Sequence, residues 1–228
     1  MPCGPMTTAT QSCAQSPAAE DEEDAKVFWH DHVPGAILLV AMTIPFVWMF
    51  TKSDGMLEWA ISRKRLSAGL WAPLQLHMFA HGSVIHILMN GSALVAVSGA
   101  IVHRLGSGLG AWLRYLILFE VCGLFGAVAF LCIHQWSSVP MLGASGAIYG
   151  LVGFLVRIPK DDNNLVPIWS SDMFRVLVEQ VKEHLWLFLQ FGLLPLLLGR
   201  SGGLAWEAHL GGFCAGLALA PYLRRKPL

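Results

Sequence analysis

Between Leu109 and Ile133 the chain runs for twenty-five residues with only two charged side chains, Arg114 and Glu120. As a helix rising ~1.5 Å per residue, this stretch exceeds the ~30 Å hydrocarbon core of a bilayer. Five further apolar segments accompany it, at Val33–Thr51, Leu76–Val102, Gly143–Ile158, His184–Gly199 and Leu204–Leu223. In hydrocarbon every backbone N–H and C=O must be satisfied within the chain, which leaves helices or closed barrels. Apolar runs this long, without alternation, predict helices. The expected fold is an all-α polytopic membrane protein. Composition points the same way: 13% of residues are charged, about half the ~25% of an ordinary soluble domain. Fifteen basic residues balance fifteen acidic ones, so there is no basic stripe for nucleic acid. The five cysteines contain no CxxC pair, and no metal or cofactor is expected.

Residues 1–32 are polar and end in the acidic run Glu20–Asp24. They lack the basic start and apolar core of a signal peptide and predict a disordered cytoplasmic tail. Residues 33–223 form the expected membrane domain, and 224–228 a short basic cytoplasmic tail. Between the first two apolar segments, Lys52–Pro73 interleaves Leu57, Trp59, Ile61, Leu66, Leu70 and Trp71 with Arg63, Lys64 and Arg65, as interfacial helices do. With a cytoplasmic N-terminus, ten Lys and Arg fall on the inner side and five on the outer. The positive-inside bias therefore favours both termini in the cytoplasm. Segments two, four and six then run from outside to inside.

Polar side chains are costly in hydrocarbon, yet these three segments carry them. Segment two holds His77, His81, His86 and Asn90; segment four opens Gly143-Ala144-Ser145-Gly146; segment six holds Glu207 and His209. Ser145 lies twelve residues before Arg157, Asn90 fourteen before Arg104, and His209 fifteen before Arg224. At the helical rise these are ~18, ~21 and ~22 Å from the inner charges, hence one common depth. Three unrelated inter-helix hydrogen bonds would also account for them. Segment four is too short to span, so its helix is expected to begin at Ser145, beneath a loop that dips inward. Its free N–H groups and positive dipole end would favour developing negative charge beside Ser145. Gly146-x3-Gly150 and Gly212-x3-Gly216-x3-Ala220 are faces along which helices approach closely. Packed together, they would bring the Ser145 hydroxyl to the His209 ring.

A serine hydroxyl becomes a nucleophile when a base takes its proton, and histidine is the usual base near neutral pH. Ser145 and His209 are the candidate pair, with Tyr149, one turn after Ser145, the expected neighbour of the ring. His86 and Asn90 share a helix face and, with the Ser145 N–H, are candidate donors to an oxyanion.

His81-x4-His86-x3-Asn90, Gly143-x-Ser145-Gly146-x2-Tyr149-Gly150 and Ala208-His209-x2-Gly212-x3-Gly216 together resemble the rhomboid intramembrane serine proteases, as does Leu105-Gly106-Ser107 followed by Arg114-Tyr115. The resemblance covers about residues 70–222. It implies a six-transmembrane-helix rhomboid-like bundle with a short fourth helix starting in mid-membrane. It further implies Ser145 as nucleophile, His209 as general base, and an oxyanion hole of His86, Asn90 and the Ser145 N–H. Tyr149 would stack on His209, with Gly143, Gly146 and His81 in support. Transmembrane protein substrates would be cut near the outer end of their span, and the loop carrying Gly199, Gly202 and Gly203 would gate entry with segment five. The chain departs from the family in having Ala72 after Trp71, which leaves Arg63 or Arg65 to anchor the first loop, and His103 where many members have Glu.

Other readings have definite marks. His77-x3-His81 could be a metal pair on one helix face. Glu120, six residues after Arg114, could snorkel toward the cytoplasm. A small transporter would use a broken fourth segment to bind an anion, and a non-proteolytic relative would bind membrane clients. A soluble hydrolase elbow fails because Ala147 stands where its last glycine belongs.

Overall fold

The computed structural model describes residues 27–49, 55–136, 138–159, 164–188 and 205–225, with backbone alone at 180–181 and 183–188. The described residues form helices α1 (Val33–Met49), α2 (Arg63–Ser67), α3 (Pro73–Leu76), α4 (Val84–Leu105), α5 (Gly108–Ile133), α6 (Ser145–Arg157), α7 (Ser171–Phe188) and α8 (Trp206–Leu223), with short 3-10 turns at Trp29–His32, Gly55–Trp59 and His77–Phe79. Among them there is no strand, only one isolated antiparallel bridge between Ile61 and Met141. Among the described residues three helical stretches are long and apolar enough to cross a membrane: Trp29–Met49, Val84–Leu105 and Gly108–Ile133. The thirteen residues of α6 rise only ~20 Å, short of a full crossing.

The packing centre is α8, which lies between α5 and α6. Glycine makes that possible. A Cβ on Gly212 would run into the carbonyl oxygen of Gly146, one on Gly216 into that of Gly150, and one on Gly150 into Cys122. The backbones of α6 and α8 thus meet with no side chain between them at these glycines, as small-x3-small faces allow. The carboxyl ends of α4, α6 and α8 gather at one end of the bundle. Arg104 donates to the carbonyls of Ile158 and Pro159, each at 2.9 Å, while the Arg225 N–H donates to the Arg104 carbonyl at 2.8 Å. Tyr115, fully buried, shares a 2.7 Å hydrogen bond with Ser98 and ties α5 to α4.

Several expectations change in the folded chain. Part of the stretch read as tail is folded. Asp31 accepts from the Phe28 N–H at 3.0 Å, and the Trp29–His32 turn packs on α4, where Gly99 leaves room for His32. Segment two is not one helix from Leu76. Its start is α3 and the His77–Phe79 turn, then an extended step to Ser83, whose hydroxyl caps α4 by accepting from the His86 N–H. His77 and His81 therefore do not share a helix face. Among the described residues no group of three or more metal-binding side chains occurs. Glu120 does not reach along its helix toward Arg114; it accepts a hydrogen bond from Gln75 of α3. In the first loop Arg65 donates to the Glu58 carbonyl at 2.6 Å. The acidic run, the Gly199–Gly203 loop and most of segment five lie outside the described residues; His184–Phe188 close α7, which begins at Ser171.

Candidate active site

The approach to Ser145 is built by non-local backbone contacts. Ile61 and Met141 exchange N–H to carbonyl bonds of 2.8 Å in both directions, and the Gly143 N–H donates to the His77 carbonyl at 2.8 Å. The segment that leads into α6 is thus held by the first loop and by the turn before α4. That turn is seated on α5: Met78, fully buried, covers Gly123, and the Phe79 ring lies 6.5 Å from that of Phe119. Gly143 has φ +122°, a region that side chains with a Cβ avoid. A Cβ there would also lie 2.7 Å from His86 Nε2. Glycine is required twice over at this position, once for backbone shape and once for the neighbouring ring.

Helix α6 begins at Ser145 with Ala144 before it and no side-chain cap, so its first N–H groups have no partner within the helix. The Ser145 hydroxyl lies 2.8 Å from Nε2 of His209 on α8. His209 is buried, and its ring stacks on Tyr149 with centroids 4.3 Å apart and planes 12° from parallel. Tyr149 is four residues after Ser145, hence one turn along the same helix face. One helix therefore supplies both the hydroxyl and the platform for the ring.

His86 and Asn90 come from α4. The Gly82 N–H donates to His86 Nδ1 at 3.4 Å, which leaves the ring proton on Nε2, the nitrogen beside Gly143. Asn90 is buried and uses one Nδ2 hydrogen on the His86 carbonyl at 3.0 Å; the amide has a second to offer. His81 is buried with its ring edge-on to His86, centroids 5.0 Å apart. His77 is buried too, donating from Nδ1 to the Pro73 carbonyl at 3.1 Å. The structure therefore gathers Ser145, His209, Tyr149, His86, Gly143, Gly146 and His81 around the start of α6, with Asn90 one turn below His86. Glu207 is buried beside His134, 3.0 Å away. Sequence reasoning missed that partnership, since seventy-three positions separate the two.

A helical multi-pass membrane bundle, with a hydroxyl and an imidazole paired across two close-packed helices, defines the class of protein. Residues 68–226 match the Rhomboid domain family model, and the chain belongs to the rhomboid family. It is 25% identical over 207 residues to the "Rhomboid protease GluP" of Bacillus subtilis, covering 88% of this chain and 37% of that protein. It is 24% identical to "RHOMBOID-like protein 5" of Arabidopsis thaliana, over 74% of this chain and 49% of the relative. With "Rhomboid-like protease 3" of Toxoplasma gondii it shares 25% identity over 65% of this chain and 50% of the relative. The chain thus spans between about a third and a half of the length of these relatives.

Proposed function

We propose that the chain is an intramembrane serine endopeptidase that hydrolyses peptide bonds in or near transmembrane segments of membrane proteins. The observation that carries this reading is the 2.8 Å contact between Ser145 Oγ and His209 Nε2. In this reading the hydroxyl donates to an unprotonated Nε2, which takes the proton as Oγ attacks the scissile carbonyl. The imidazolium then returns the proton to the leaving amine, and water completes the cycle by the same relay. His86 Nε2–H, an Asn90 Nδ2 hydrogen and the Ser145 N–H stabilise the oxyanion, each donor contributing ~3–4 kcal/mol to the transition state. Stacking on Tyr149 keeps the ring in plane with the hydroxyl. The frame is six membrane helices with both termini in the cytoplasm. The short α6 starts in mid-membrane, so that the site opens outward to water while the substrate arrives through lipid.

Two relatives carry the word protease in their names, which supports the same reading. Labelling with a fluorophosphonate in detergent tests it. Label is expected on the unmodified chain and lost in Ser145→Ala and His209→Ala. Label that persists in Ser145→Ala would reject Ser145 as nucleophile. An unlabelled chain whose solute transport is unaffected by Ser145→Ala would favour a transporter, and one that retains membrane proteins without cutting them would favour a client-binding relative.

A further inference from the structure

Glu207 sits in the first turn of α8 and is 6% exposed. His134 closes α5 and donates from Nε2 to Glu207 Oε1 at 3.0 Å. The His134 ring is held in turn by Phe130, its centroid 4.4 Å away. Burying a carboxylate at the end of a membrane helix is costly unless a specific partner meets it. The partnership joins the start of α8 to the end of α5. Glu207 and His209 are two residues apart, which turns them ~200° from each other about the helix axis.

Further along, α8 meets its neighbours backbone to backbone. Gly212 and Gly216 face Gly146 and Gly150 of α6, and a Cβ on Gly211 would lie 2.8 Å from the Phe125 carbonyl of α5. Such surfaces set the distance between helices but offer few interlocking side chains to resist rotation about the axis. Ala205, before the helix, makes no side-chain cap. The glycines of α8, Gly211, Gly212 and Gly216, all lie after His209, so a directional bond at Glu207 constrains the end of the helix that they do not reach. A ring ~6 Å from the axis moves ~1 Å for a 10° rotation, given a Cα radius of ~2.3 Å. That displacement is enough to part the 2.8 Å contact between His209 and Ser145.

We propose that Glu207 and His134 are positioning residues: their bond sets the rotation of α8 and so aims the His209 ring at Ser145. The proposal rests on the protease reading. Removing the bond misplaces the base without touching the binding surface, so it lowers the rate of the chemical step rather than affinity. A misplacement near 1 Å costs on the order of 10- to 100-fold in rate.

The test is the concentration dependence of fluorophosphonate labelling on the full chain in detergent, with thermal unfolding measured on the same samples. Glu207→Leu is expected to lower the limiting labelling rate ~10-fold or more and leave the half-saturating concentration unchanged. Glu207→Gln, which still accepts from His134, is expected to recover most of the rate. His134→Leu should match Glu207→Leu, and the double variant should be no slower than either alone. Should Glu207→Leu fail to fold, Glu207→Asp keeps the charge, shortens the arm by one methylene, and should show the same loss of limiting rate. Full-rate labelling of the folded variant lacking the bond, no recovery in Glu207→Gln, or losses that multiply in the double variant would overturn the proposal alone. Absence of Ser145-dependent label in the unmodified chain would bring down the protease reading and this proposal with it.

Discussion

Replacing Gly143 with alanine adds one methyl group at the point where backbone shape and the candidate oxyanion donor meet. The added Cβ would lie 2.7 Å from His86 Nε2, below any ordinary carbon–nitrogen contact, so the ring or the backbone must move. The φ of +122° adds a backbone strain of ~1–3 kcal/mol for a residue with a Cβ. If the backbone holds, His86 turns away and one donor is lost, at ~10²- to 10³-fold in kcat. If the backbone yields, the 2.8 Å bond from Gly143 to the His77 carbonyl is at risk, and Ser145, two residues on, moves with it. Either route lowers kcat ~100-fold or more. The assay is cleavage of a reporter carrying one transmembrane segment, with thermal unfolding in the same detergent. Gly69 provides the control: its φ is +81° and nothing lies within 4 Å of its would-be Cβ. Gly69→Ala should cost stability comparable to the strain term and leave kcat unchanged. The reasoning is refuted if Gly143→Ala keeps kcat within about fivefold of the parent, equivalent to ~1 kcal/mol, or if Gly69→Ala loses as much activity.

Gly212→Ala should lower the thermal midpoint by an amount matching ~1–3 kcal/mol of overpacking, because its Cβ would meet the Gly146 carbonyl; an unchanged midpoint would show that α8 and α6 do not meet this closely. Tyr149→Leu should cost ~2- to 10-fold in kcat, the worth of an aromatic pair, while Tyr149→Phe keeps the stack and the rate. Gln75→Leu and Glu120→Leu each remove the hydrogen bond between α3 and α5 and should each cost ~0.5–1.5 kcal/mol, with the double variant no less stable than either single one in thermal melts. A helical substrate hides its carbonyls in hydrogen bonds, so spans with Gly, Ser or Ala near the cut should be cleaved faster than the same spans with Leu there; equal rates across such a panel would exclude local unwinding as a requirement.

Apolar runs at Val33–Thr51 and Leu109–Ile133 are legible from sequence because hydrocarbon leaves the backbone no alternative to helix; the helices are Val33–Met49 and Gly108–Ile133. The start of α6 at Ser145 is legible as well, since the preceding loop residues and a thirteen-residue apolar stretch cannot make a full span. A common depth for Ser145, Asn90 and His209 is the expectation reached by counting residues back from Arg157, Arg104 and Arg224, with no knowledge of which faces meet. What counting cannot supply is direction. The run from Leu76 looks continuous, but the chain breaks before Ser83 because Met78 finds a seat over Gly123 and the His77 carbonyl finds Gly143, contacts made by residues far away in the chain. The pairing of Ile61 with Met141, of Gln75 with Glu120, and of His134 with Glu207 has the same character. Sequence alone determined which stretches must be helical and which polar groups would need partners, because those costs are local to each residue. Only the tertiary structure decided who the partners are, because a hydrogen bond requires two particular atoms within about 3 Å, and that distance is set by how whole helices pack.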